Sequence, residues 1–351
     1  MNPLTIVMYH YVRPIAESRY SGIKGLELEH FRGQLNFIDR HYRVVTMDEV
    51  IAASRGEATL APRSLLLTFD DGYLDHHDHV LPELVARGWQ GSFFPPACAV
   101  RERRVLDVNK IHFALASTEG SGDKGREAMI SEILAAIDEN RDAHQLRPSA
   151  DYYSEFAKPG RYDDPQVIFI KRVLQKGLPP ALSEQIIHQL FRRFVTEDEA
   201  SFADELYMNY DQLGALRDAG MCIGSHGDQH LWLNTLDDAQ QAEEVEAGLT
   251  FLDELGVPRR DWVMCYPYGG YDKRLLELLR RRRCALGLTV EPKLADPLHQ
   301  DPLCLPRVDT NDLPVSADAS TSEMPWVRKA LEPFDEHDMS TAGEVTSDRI
   351  S

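Results

Sequence analysis

Ser64-Leu-Leu-Leu-Thr-Phe-Asp70-Asp71-Gly72-Tyr73 is an apolar strand that stops at two adjacent carboxylates and a glycine. The run from Leu65 to Phe69 is near-continuously apolar, as in a strand buried on both faces. Within a regular strand Asp70 and Asp71 point to opposite faces. Gly72 lets the backbone leave extended geometry, so both carboxylates can lie at the strand's end. Two like charges that close need a cation, a shared proton or strong hydrogen bonding. An Asp-Asp-Gly turn with no chemistry is the competing reading, since both residue types are common turn formers.

The second stretch lies far downstream. Met221-Cys-Ile-Gly-Ser225 is a short apolar strand signal, followed by His226-Gly-Asp-Gln-His230. The His spacing suits one face of a helix, but Gly227 and the preceding strand favour a strand-end loop. Borderline metals such as zinc accept imidazole nitrogens with a carboxylate and leave positions open for water and substrate. One Asp from the first stretch completes such a set. A third element, Trp262-Val-Met-Cys265-Tyr-Pro-Tyr268-Gly-Gly270, reads as a strand entering a Pro/Gly-rich turn whose amides can face a ligand.

Strand signals at 5–11, 42–46, 65–69, 92–94, 221–225, 263–266, 286–289 and 304–308 alternate with helical patterns at 29–40, 47–54, 76–87, 210–219, 236–255 and 273–283. Gly88 is a C-cap candidate, and Asp237 or Thr235 an N-cap candidate. Repeated βα units imply a parallel sheet in an α/β protein. Residues 101–204 differ: helical stretches at 126–137 and 182–195 flank a Pro/Asp/Tyr-rich segment, and no repeat or catalytic motif is present. They are expected to form a helical insertion, serving as a lid, an interface or a structural embellishment. Residues 315–351 lack apolar periodicity and are expected to be a loosely held tail, with Trp326 and Leu331 docking a short helix.

In their order, Thr-Phe-Asp-Asp-Gly, His-x-x-x-His and Tyr-Pro-Tyr-Gly resemble the motifs of the polysaccharide deacetylases of the NodB-homology type (carbohydrate esterase family 4). Ile6-Val-Met-Tyr-His10-Tyr-Val12 and Leu305-Pro-Arg307-Val308 resemble the first and closing strands of a subgroup acting on surface polysaccharides. The match spans roughly 4–100 and 205–312. It implies an irregular (β/α) barrel of fewer than eight units, discontinuous over 1–100 and 205–314, with a helical insertion. Catalytic groups then gather where strands end at the C-terminal face of the barrel.

The resemblance implies a metal-dependent hydrolase that removes an N-acetyl group from a carbohydrate. By motif position Asp71, His226 and His230 bind a divalent metal, most simply zinc. Asp70 is the general base on water, and the backbone N–H of Tyr268 stabilises the oxyanion. Three positions depart from the pattern. Gly227 stands where a Ser or Thr usually holds the loop, Cys265 where an Arg usually orients the base, and the closing Leu-x-His strand has no counterpart. Arg307 is the candidate to replace the missing Arg, and His10 the candidate acid, with His299 less favoured. Asp75-His-His-Asp-His79 is a competing ligand cluster, read as a polar helix start with one His behind Asp70 or Asp71. Deformylation or hydrolysis of another small amide is an alternative on the same fold, and non-catalytic glycan binding a second.

The formal net charge of −19 over 351 residues argues against nucleic acid, whose phosphates such a surface repels. Arg280 to Arg283 read as a solvated helix end. The five cysteines form no C-x-x-C pair, which suits reduced thiols. No stretch approaches about 18 apolar residues, so no membrane span is expected. The start of the chain carries no signal-like pattern, and a cytoplasmic location is expected. The expected partner is an N-acetylated sugar or glycan intermediate; the sugar and the oligomeric state stay open.

Overall fold

The computed structural model describes residues 2–118, 123–160, 163–320 and 324–331. Parallel strands β1 (Thr5–Tyr9), β2 (Ser64–Asp70), β3 (Gly91–Phe94), β4 (Cys222–Ile223), β5 (Val263–Cys265), β6 (Leu286–Leu288) and β7 (Val308–Asp309) form a closed ring. β1 pairs with β2 and with β7, β2 with β3, β3 with β4, and β5 with β6. Parallel bridges Ser225–Met264 and Leu288–Leu305 close the two remaining seams. The expected (β/α) barrel of fewer than eight units is therefore the fold.

All seven residues of β2 are buried. Its two faces serve different cores, as the period of two requires. Leu65, Leu67 and Phe69 pack outward with Phe31, Leu35 and Leu84 of the surrounding helices. Leu66 packs inward with Ile6, Phe94, Cys265, Leu288 and Leu305. Asp70 shares the parity of Leu66 and Thr68, so its carboxylate belongs to the barrel interior at the C-terminal rim.

Local signals explain the helices. Met47–Ser54 starts on a Thr46/Glu49 capping box, and Asp238–Glu254 on an Asp237/Gln240 box. Leu81–Arg87 ends at Gly88 in the left-handed region. The helix expected over 76–87 is not uniform: His76–Val80 is a widened π turn. Pro82 has no N–H and its ring collides with the carbonyl four residues back in a regular helix, which the wider turn relieves. Four strands are markedly shorter than expected, among them the one over 42–46, where only Arg43–Val44 is regular and pairs with Ser64–Leu65. β1 stops at Tyr9, after which Val12–Arg13 pairs with Leu26–Glu27. Over 221–225 only Cys222–Ile223 is regular, and over 304–308 the regular pairing begins at Val308.

Between β3 and β4 the chain forms helices Asp107–Ser117, Asp123–Glu139, Ser149–Phe156, Pro165–Arg172, Pro180–Phe194 and Glu199–Leu206. They enclose a core of their own that includes Met129, Ile133, Phe169, Ile186 and Leu190. A second cluster, with Tyr11, Tyr73, Leu106, Phe113, Phe202 and Tyr207, joins them to the barrel mouth. Of the tail expected over 315–351, residues 321–323 and 332–351 lie outside the described residues. Pro325–Leu331 is a short helix with Val327 and Ala330 buried and Trp326 and Leu331 packed against the barrel core.

Candidate active site

β2 keeps extended geometry through Asp70, and the chain then turns at two left-handed residues, Asp71 (φ 70°) and Gly72 (φ 69°). The sequence placed that turn at Gly72 alone; Asp71 shares it, and this separates the two carboxylates. Gly72 also admits no side chain, since a Cβ there meets Pro95 at 2.7 Å. His230 (φ 56°) and Tyr268 (φ 57°) are left-handed too. Such non-glycine residues cost on the order of 1–3 kcal/mol each and persist where the surroundings over-determine them.

His226 to His230 form a strand-end loop rather than a helix. His226 and His230 bring their Nε2 atoms within 3.4 and 3.3 Å of Asp71 Oδ1. His226 donates from Nδ1 to the Cys265 carbonyl at 2.8 Å, leaving the Nε2 lone pair toward Asp71. Asp71 Oδ1 is buried and makes no hydrogen bond. An orphaned carboxylate oxygen between two imidazole nitrogens is the donor set of a divalent cation site of zinc type, so the residues present fit such an ion.

Asp70, His226 and Cys265 also converge, but both Asp70 oxygens are engaged. Arg307 donates from its two terminal nitrogens to Oδ1 at 2.8 Å and Oδ2 at 2.7 Å. Its remaining donors reach the Thr68 hydroxyl at 3.1 Å and the Thr289 carbonyl at 2.9 Å. Burial pushes the Asp70 carboxyl up; Arg307 more than offsets this and holds it at about 2. Cys265, where the motif usually has Arg, faces the same carboxylate with Sγ 3.4 Å from Oδ1. The structure thus brings the Arg from the closing strand to the base expected to need it.

His10 follows β1 at the rim, 42% exposed, with Nε2 4.0 Å from Asp70 Oδ2. His76 donates from Nε2 to the His10 carbonyl at 2.8 Å; burial lowers its pKa to about 4, so the ring stays neutral. It is the one member of the Asp75–His79 run that stands behind the site. Asp75 pairs with Arg13, His77 with Asp78, and His299 lies on an exposed loop against Asp296. The Tyr268 ring meets His230 edge-on at 4.6 Å and stacks on Trp232 at 4.6 Å.

Three buried residues at this site, Glu244, Ser225 and Tyr73, went unread in the sequence. Glu244 accepts from the Asp228 and Gln229 amides at 3.0 and 3.1 Å, and Ser225 Oγ accepts from Gly227 N at 3.2 Å. Together they replace the missing Ser or Thr after His226. The signal was a polar stripe, Gln241, Glu244 and Gly248, where a helix packed on a barrel should be apolar. Gly248 is required because a Cβ there meets Ser225 Oγ at 2.6 Å. The third is Tyr73, which donates to Asp71 Oδ2 at 2.5 Å. Glu244→Ala strands two loop amides and is expected to weaken zinc binding about 10–100-fold, read by chelator competition. Unchanged affinity would remove Glu244 from the site.

The barrel is similar in fold to those of solved polysaccharide deacetylases, and the site carries the motif residues of the NodB-homology type. The polysaccharide deacetylase family model matches residues 191–285, which include the His pair and the third motif. Three solved structures are similar. The Streptococcus pyogenes deacetylase PplD in complex with acetate has 15% identity and a TM-score of 0.54, over 94% of this chain and 99% of that one. IcaB from Ammonifex degensii has 18% identity and a TM-score of 0.53, over 94% and 97%. A de-N-acetylase from Aggregatibacter actinomycetemcomitans has 12% identity and a TM-score of 0.51, over 94% and 100%. At these identities the likeness speaks for the fold. No curated protein matches the chain. Among the described residues no helix is long and apolar enough to cross a membrane.

Proposed function

We propose that this chain is a metal-dependent hydrolase that removes the N-acetyl group from a carbohydrate intermediate of cell-surface glycan assembly. The observation that carries the reading is the buried Asp71–His226–His230 cluster beside a second carboxylate, Asp70, held ionised by Arg307. When bound there, zinc or another divalent cation supplies Lewis-acid polarisation of the amide carbonyl and a water of lowered pKa. Asp70 takes the proton from the attacking water, and Arg307 fixes the carboxylate plane from which it does so. The Tyr268 backbone N–H donates to the developing oxyanion. His10, at the exposed rim and near Asp70, gives a proton to the departing amine. The barrel over 1–100 and 205–314 carries these groups, with 101–204 as an added helical body.

The test is metal analysis of the purified full chain, followed by assays of acetate release from a panel of N-acetyl sugars and of formate release from their N-formyl counterparts. Bound zinc with acetate release is expected. Release of formate but not acetate would redirect the reading to a deformylase. A protein that takes up no metal at these ligands and releases neither acid would be a non-catalytic member of the fold.

A further inference from the structure

Asp71 has two oxygens with opposite circumstances. Oδ1 is buried without a hydrogen bond and faces the two imidazoles, whereas Oδ2 accepts from the Tyr73 hydroxyl at 2.5 Å. Tyr73 is held in turn. Asn109, on the insertion helix Asp107–Ser117 and fully buried, donates from Nδ2 to the Tyr73 hydroxyl at 2.7 Å and to the Tyr11 hydroxyl at 2.7 Å. Tyr207, where the insertion returns to the barrel, donates to Asn109 Oδ1, and its own oxygen accepts from Leu106 N at 3.0 Å. The same return segment pairs with the Asp-Asp-Gly turn itself: Met208 N donates to the Gly72 carbonyl at 3.0 Å, and Tyr73 and Tyr207 form an antiparallel bridge.

We infer that the insertion is a positioning element for the metal-ligand candidate Asp71, acting through Asn109 and Tyr73; this rests on the metal-site reading above. The carboxylate rotates about one bond, and a fixed Oδ2 sets the direction of Oδ1. A donor to the outer oxygen of a ligating carboxylate restricts that rotation, and loss of such a partner weakens metal affinity about 10–100-fold. Asn109 strengthens the donor, since a hydroxyl that accepts one hydrogen bond donates a stronger second one. Tyr11 serves as an internal control: it stacks on Tyr73 at 4.2 Å and bonds to the same Asn109, and no hydrogen bond joins it to Asp71.

The experiment uses the full chain and zinc, with chelator-competition titration as the readout and thermal unfolding of the metal-free protein beside it. Tyr73→Phe is expected to weaken zinc binding about 10–100-fold, whereas Tyr11→Phe, which removes a hydroxyl from the same network, leaves affinity within about threefold. Asn109→Asp, with side-chain shape retained, places a competing acceptor against Tyr73 and is expected to weaken zinc as Tyr73→Phe does. Native-like affinity in Tyr73→Phe and Asn109→Asp would overturn the inference while leaving the metal site intact. Equal losses in Tyr11→Phe and Tyr73→Phe would reduce the network to general packing and overturn it too. Absence of zinc binding by the unaltered chain would overturn the site reading, and the inference with it.

Discussion

Replacing Asp70 by Asn is expected to leave zinc bound and to lower turnover about 10²–10⁴-fold, the range for loss of a positioned general base. The amide fills the same volume at the end of β2 but takes no proton at working pH. Its oxygen still accepts from Arg307, while its NH₂ group faces the second guanidinium nitrogen that Asp70 Oδ2 now satisfies. The variant therefore also loses stability, and metal content rather than melting temperature is the proper control. The two carboxylates are adjacent in sequence yet separated by the left-handed turn at Asp71. Asp71→Asn is accordingly expected to lose the metal itself. The comparison is made by zinc titration and single-substrate kinetics on the two variants in parallel. If Asp70→Asn lost its zinc, or kept its turnover, the division of labour between the acids would be wrong.

That division was partly legible in the sequence. The apolar run of β2, the Gly88 C-cap and the Asp237 N-cap are local signals, and the elements they predict are present. The pairing of Arg307 with Asp70 joins residues 237 positions apart, so no local pattern carries it. It was reachable because Cys265 occupies the place of an expected Arg, which left a carboxylate in search of a cation. Glu244 was hidden for a different reason. An acidic residue in a helix reads as solvated, and only the neighbouring Gln241 and Gly248 on the same face betray that this face is buried. Tyr73 follows the turn with no motif to mark it. Its role depends on an insertion that has no motif of its own, and which elements an insertion touches is a tertiary fact. The shortened β4 and β7 have the same origin: ring closure at Ser225 and Leu305 relies on single bridges, which apolar periodicity overstates as full strands.

Removal of Arg307 is expected to cost about 3–5 kcal/mol of stability, the range for stranding one partner of a buried ion pair. Both members are almost wholly enclosed, at 1% and 2% exposure, so water cannot take over the lost interaction. In Arg307→Met the Thr289 carbonyl and both Asp70 oxygens lose their guanidinium donors, and only the Cys265 thiol remains as a contact to Oδ1. Arg307→Lys keeps a charge without the bidentate fork and is expected to fall between. The double variant Asp70→Asn/Arg307→Met is expected to be markedly more stable than the sum of the singles, because it leaves no unpaired buried charge. The pH dependence gives an independent reading. In the native protein Asp70 lies at about 2, below its unfolded value of about 3.9. The stability it contributes is thus fully present above about pH 4 and fades as pH falls toward about 2. Without Arg307, burial raises the carboxyl, and the native state binds the proton before the unfolded chain does. Stability of Arg307→Met is then expected to increase on acidification from about pH 7 to about pH 4, by ~1.4 kcal/mol for each unit by which the group is raised. Urea unfolding of both proteins across that range checks it: curves that stay parallel would mean that Arg307 does not hold the base ionised.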